Sequence, residues 1–289
     1  MVRTVIAISL ALVSGCSSPD APGSRAGARP PAVTEIPPAA PQPVSPREKT
    51  NPAFSGDLDA IAARGYVRIL VAPSRAYFQT IDGRHRGRAV DAGVALAALM
   101  SERAQHAIEP VFIETNEERL VPELLAGKGD VAANVLLTFA RDEQVAFAPP
   151  IKSGIRELIV TDTTAPLVSL EDVAGRRITV RKNSDHHLSL IRLNEQLRKI
   201  DRERAVIIVD DKTRTDEELL DAVNAGRIRA TVVDDYIFDL WQGEMLKMSS
   251  TNRDIAVSQD GVIAWVSRKD APALTAVMKD FFSTRQLKF

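Results

Sequence analysis

One thiol, two adjacent imidazoles and a few well-placed carboxylates are the groups in this chain that could do chemistry. Cys16 is the single cysteine, so no disulfide closes within the chain and no cysteine-clustered zinc site can form. The thiol ends the run Val13-Ser14-Gly15-Cys16, behind a short basic head and an apolar stretch over residues 4–12. That order is the form of a lipoprotein signal: cleavage before Cys16, then acylation of its sulfur. The apolar stretch is too short to span a bilayer, which takes roughly 20 residues. His186 and His187 invite a metal reading, but neighbours on a helix point about 100° apart and do not readily share one ion. Glu117 and Asp185 would have to be brought together by the fold to act as acid and base. Neither an enzyme, a cofactor nor a metal is expected.

Residues 1–15 are therefore expected as a signal peptide, and residues 16–53 as a lipidated cysteine followed by a disordered linker. Beyond the cysteine the chain is dense in Pro, Ala, Ser and Gly (Pro30-Pro31, Pro37-Pro38, Pro41-Gln42-Pro43). Such a stretch buries too little to offset its ordering entropy and works as an extended spacer. Residues 54–289 form the globular part, long enough for one large domain or two lobes. The whole chain holds 37 Lys and Arg against 38 Asp and Glu. With no basic block and few aromatic residues, nucleic acid is not an expected partner.

Strand and helix patterns alternate along the globular part. Strands are expected at 67–71, 108–113 and 130–135, with helices at 90–103 and 120–126 between them. The layout then restarts, with strands at 177–180, 206–209 and 230–233 and helices at 184–200 and 216–224. A further strand at 262–266 and helix at 272–282 follow. Two successive βαβαβ units predict an α/β fold of two lobes, each a mainly parallel sheet flanked by helices, with a crevice at the carboxyl ends of the strands.

Several stretches carry a resemblance. Asp57-Leu58-Asp59-Ala60-Ile61-Ala62-Ala63-Arg64-Gly65-Tyr66-Val67, Leu124-Leu125-Ala126-Gly127-Lys128-Gly129-Asp130 and Ser169-Leu170-Glu171-Asp172-Val173-Ala174-Gly175 resemble the family 3 periplasmic solute-binding proteins, best known for polar amino acids. Phe147-Ala148-Pro149-Pro150 and Thr231-Val232-Val233-Asp234 are most similar to the subgroup found as the amino-terminal domain of membrane-bound lytic transglycosylase F. The catalytic domain of those enzymes has no counterpart before Phe289. The resemblance implies the type II periplasmic-binding-protein fold with two hinge strands, lobe 1 at about 55–157 and 258–289 and lobe 2 at about 158–257.

It also implies site residues. Arg141, six residues before Phe147, stands where the family clamps a ligand carboxylate, a task suited to a planar guanidinium. Asp234 stands where the family receives a ligand amino group, so the pair would hold a zwitterion from opposite lobes. The loop before Arg141 is one residue short, with Leu136 at the place of a threonine, and Thr138 is expected to substitute. Ser184 carries the hydroxyl expected at the first helix of lobe 2, beside an Asp185 that would repel an anion and cap the helix. Tyr77, with Phe78, lies where an aromatic packs on the ligand. The implied protein is an envelope lipoprotein on the periplasmic face of a membrane, the outer one in a two-membrane cell because Ser17 follows the cysteine. Its cleft would take a small ligand, amino-acid-like or cell-wall-derived, for an ABC permease. A non-catalytic module working with a murein enzyme is the alternative, and a cyclohexadienyl-dehydratase-like enzyme the second alternative.

Overall fold

The computed structural model describes residues 33–48, 52–212, 215–242 and 249–286. The expected signal peptide, Cys16 and the first half of the expected linker lie outside the described residues. The second half corrects the expectation of a disordered linker, because residues 33–48 lie on the globular body. Thr34–Glu35 (β1) pairs in parallel with Arg285–Gln286, and the Ile36 N–H donates to Gln286 O at 3.0 Å. Gln42–Pro43 (β2) adds to a hairpin at Arg84–Arg86. The Ala39 N–H donates to Asp91 Oδ1 at 2.8 Å, and His85 Nε2 lies 2.9 Å from Glu48 Oε1. One apolar anchor suffices: Ile36 is 4% exposed. The prolines around it have little backbone entropy left to lose and occupy edge positions where a missing N–H is tolerated.

Asp57 opens α1 (Leu58–Arg64) by accepting the Leu58 N–H, and Gly65, at φ 78°, closes it in the left-handed conformation that glycine adopts without penalty. Asp57 also accepts the Ala273 and Leu274 N–H groups at 2.9 and 2.8 Å, so one carboxylate caps the N-termini of two helices, this one and the one that starts at Pro272. β3 (Tyr66–Val71), β4 (Gln79–Ile81), β5 (Arg84–Arg86), α2 (Arg88–Ala104), β6 (Glu109–Glu114), α3 (Leu120–Leu125), β7 (Val131–Leu136), α4 (Phe139–Gln144) and β8 (Val145–Phe147) follow. The long β9 (Lys152–Asp162) leads into β10 (Arg177–Arg181), α5 (Asp185–Lys199), β11 (Val206–Asp210), α6 (Asp216–Asn224), β12 (Ala230–Asp234) and α7 (Asp235–Trp241). β13 (Ser249–Arg268), α8 (Pro272–Thr284) and β14 (Arg285–Gln286) return to the first lobe.

The main sheet runs β11-β10-β12-β9-β13-β7-β3-β6, with β8 beside β13. β6, β3 and β7 are parallel, as are β11, β10 and β12. Between these two triplets β9 and β13 run antiparallel to each other and to their outer neighbours. The sheet thus divides into two lobes joined by two strands. Where they pair, the register shifts repeatedly between Thr251 and Val262, and such bulges bend a strand. Apolar side chains fill the interior: Ile69, Leu96, Phe112 and Trp265 belong to a core that also takes in Leu220, Val233 and Phe238 of the second lobe, and Ile178, Val180, Leu190 and Val232 belong to another. The carboxyl ends of β3, β7, β10 and β12 all face the gap between the lobes, as the strand order requires at a switch point.

Candidate functional site

A cavity of about 80 Å³ sits in that gap. Ser74, Tyr77, Glu117 and Asn134 line it from the first lobe, and Arg181, Asp216, Asp234 and Tyr236 from the second. Gly87 sets the position of Tyr77. A β-carbon there would stand 2.4 Å from Tyr77 O, and its φ of 117° already excludes most side chains. The Tyr77 ring meets Tyr236 edge-on at 5.9 Å. Asn134 is held at φ 56° and accepts the Trp265 Nε1–H at 3.1 Å.

Arg181 is the centre of the arrangement. Its Nε donates to Asp216 Oδ1 at 2.8 Å and its Nη1 to Glu118 Oε1 at 2.5 Å. Its Nη2 donates to Asp216 Oδ2 at 3.2 Å and also to Glu117. The side chain is 5% exposed. Burial works against its charge, but the surrounding carboxylates outweigh burial and hold the guanidinium above its usual range. Beside it His186 places Nε2 3.2 Å from Asp234 Oδ1 and Nδ1 3.6 Å from Asp216 Oδ2. Burial opposes protonation there too, yet Asp216, Asp234 and Glu157 raise the imidazole well above its ordinary value. Asp216, flanked by both cations, is held below the usual carboxylate range despite its burial. Glu117 goes the other way. Loss of hydration between the lobes, reinforced by Asp216 and Asp185 and opposed by Arg181, pushes it up to about 7, although its side chain keeps 39% of its surface exposed. Burial raises Glu157 and Glu217 as well.

A second cavity of about 590 Å³ adjoins the first across Glu117 and Leu120 and holds Thr138, Arg141, Asp185 and Arg192. The structure therefore separates residues that the family pattern puts together. Arg141 and Asp234 line different cavities, and each already has a partner. Arg141 Nη1 donates to Asp185 Oδ2 and to Leu136 O, both at 3.0 Å. Thr138 accepts the Arg141 N–H and caps α4. Ser184 is buried, accepts the His187 N–H as the cap of α5 and donates to Arg181 O at 2.9 Å. Its hydroxyl is spent within the lobe and lines neither cavity. Tyr77 lines the inner cavity and also belongs to an apolar core that takes in residues of both lobes. Arg181, His186 and Asp216 escape motif reading. The one signal for them is a charged residue closing the buried strand Ile178-Thr179-Val180, at the end that faces the crevice.

A family model described as bacterial extracellular solute-binding proteins, family 3, matches residues 67–284. The membrane-bound lytic murein transglycosylase F of Saccharophagus degradans is 26% identical over 156 residues, 54% of this chain. That match covers 30% of the relative's own length. Among solved structures, an ancestral amino-acid-binding protein described as a precursor of cyclohexadienyl dehydratase superposes with a TM-score of 0.62 at 19% identity, over 78% of this chain and 90% of that one. An amino acid ABC transporter substrate-binding protein from Streptococcus pneumoniae, bound to L-arginine, gives 0.61 at 15% identity over 77% and 90%. At such identities the likeness speaks to the fold, that of a type II periplasmic binding protein.

Proposed function

Because the chain belongs to the bacterial extracellular solute-binding proteins, family 3, we propose that it captures a small polar ligand, amino-acid-like or cell-wall-derived, by closing its lobes about the bent pair β9 and β13. It works as the lipid-anchored binding component of an ABC importer, on the periplasmic face of a membrane, and not as an enzyme. The observation that carries this reading is a gap lined with charged side chains from both lobes. Such a lining lets one solute touch both lobes at once, and only a ligand that binds the closed state better can shift the hinge toward it. Carboxylates outnumber cations around the inner cavity, with Glu117, Asp216, Glu217 and Asp234 against Arg181, so the ligand carries a cationic group. Asp234 receives that group, with Tyr77 packing beside it. Arg141 serves a carboxylate from the outer cavity once it exchanges Asp185 for it.

The transglycosylase relative favours a second reading, a non-catalytic module whose closure on a muropeptide signals to a murein enzyme. A thermal-shift screen of the protein against amino acids and muropeptides separates the two, since a ligand at 100 times its Kd adds about 2.7 kcal/mol of stability. A shift with a free amino acid supports import, a shift with muropeptides alone supports the module, and no shift with either overturns ligand capture. For the anchor, Cys16→Ser is expected to abolish acylation and leave either uncleaved precursor or a form processed by other means, and unchanged mass together with unchanged membrane fractionation would remove the lipoprotein reading.

A further inference from the structure

We propose that the cleft contains a guanidinium-binding site built from both lobes, and that its occupant is Arg181 of the same chain, which holds the lobes together with no solute between them. Glu117 and Glu118 sit in a short turn leading into α3, on the first lobe, while Asp216 opens α6 on the second. A binding protein closes because its ligand contacts both lobes at once. Here a planar side chain meets that requirement. It meets Asp216 through two nitrogens, Glu118 through Nη1 and Glu117 through Nη2, the fork geometry that suits carboxylates.

Three features support an occupant rather than an ordinary surface pair. The guanidinium is 5% exposed, with its first-lobe partners Glu118 and Glu117 at 22% and 39%, so its attractions are screened less than those of a pair exposed on both sides. Three carboxylates surround one cation, more than an ion pair needs, and they come from both sides of the gap. The space left beside it, about 80 Å³, is about half of the roughly 150 Å³ cavity that takes a benzene. Other contacts cross the gap too. Ser74 Oγ and the Arg75 N–H donate to Glu217 Oε1 at 2.8 and 3.1 Å, and Arg75 pairs with Asp221. The Arg75 and Asp221 side chains are about a third exposed, at 32% and 33%, and such pairs contribute little. This latch takes up Glu117 and Asp216, two of the carboxylates that the capture reading offers to a ligand, and it uses the same hinge.

The test measures the distance between lobes in the full chain carrying Cys16→Ser, with spin labels on Leu125→Cys and Ile200→Cys, both at exposed positions. The unaltered cleft is expected to give one short distance that added amino acids leave unchanged. Arg181→Ala should lower the closed-to-open ratio about tenfold or more, as loss of a buried charge partner does. The double variant Glu117→Ala/Glu118→Ala should do the same from the other lobe, on a turn whose loss does not threaten the core. Methylguanidinium should restore the short distance in Arg181→Ala and not in the double variant, while urea, similar in shape but uncharged, should restore neither. A persistent short distance in both variants, or urea matching methylguanidinium, overturns the proposal. So does an unaltered cleft that stands open and closes on an amino acid, although ligand capture would then survive. Reclosure by methylguanidinium without any solute binding to the unaltered cleft would instead uphold the latch and end the capture reading.

Discussion

Arg141 and Arg181 are two arginines of the gap, lining different cavities, and the difference between them lies in their neighbours. Arg141 is reached by counting back from Phe147, and the structure does put it at the edge of the gap. What decides its role is Asp185, which lies 44 residues further along the chain and takes up its charge. Arg181 has no such count behind it, because its partners Glu117 and Asp216 are 64 and 35 residues away. Motifs record local chemistry, whereas a three-carboxylate cage exists only after folding. Glu117 gives this cluster a pH signature. Its folded value of about 7 lies above the ordinary 4.5, so the folded state prefers it protonated. The stability this contributes is fully present below about pH 4.5 and is lost as pH rises to about 7. Glu117→Gln, which stays neutral, should therefore melt higher than the unaltered protein at pH 8 and converge with it near pH 4.5. Melting curves across that range check the sign, and a variant that melts lower at pH 8 would show that the ionised Glu117 is net stabilising.

At the scale of elements the sequence was most legible where periodicity and caps coincide. The helix expected at 184–200 is α5, Asp185–Lys199, with Ser184 as its cap, because a hydroxyl before an amphipathic run is a local signal. The strand expected at 262–266 is instead the end of β13, which begins at Ser249. Its first part, Ser250-Thr251-Asn252-Arg253-Asp254, has no apolar alternation, and only pairing with β9 makes it a strand. The proline-rich segment failed to read as structure for a related reason. Composition averages over residues, and one buried isoleucine outweighs the average. If Ile36 is the anchor, Ile36→Asp should release β1 from β14 at a cost of about 2 to 4 kcal/mol, the usual range for emptying a buried apolar site. Hydrogen exchange should then speed up at the Ile36 N–H and around Gln286 while α8 stays protected. Unchanged protection at Ile36 would mean that backbone pairing and the Asp91 and Glu48 contacts hold the segment without it.

For the whole molecule, the two-lobed plan was legible because two βαβαβ patterns in succession leave few topologies open. The state of the cleft was not, since it depends on how charges from the two lobes balance across a hinge. Salt distinguishes the ways in which that balance can be struck. The pairs Arg75–Asp221 and Arg141–Asp185 stand near the rim, with side chains between 15% and 33% exposed, whereas in the latch the guanidinium is 5% exposed and only its partners Glu118 and Glu117 reach 22% and 39%. Raising ionic strength from about 0.01 M to 1 M shortens the screening length from roughly 30 Å to 3 Å and weakens solvent-exposed pairs far more than buried ones. If Arg181 carries closure, the interlobe distance in the unaltered cleft should be the same at both ends of that range. In Arg181→Ala, where the rim pairs, the bonds of Ser74 and the Arg75 N–H to Glu217 and the Tyr77–Tyr236 ring contact still cross the gap, the closed fraction should fall as salt is added. Opening of the unaltered protein by salt alone would transfer the latch from the buried guanidinium to the rim. The lobes would then be held by many weak contacts that a solute could easily outbid.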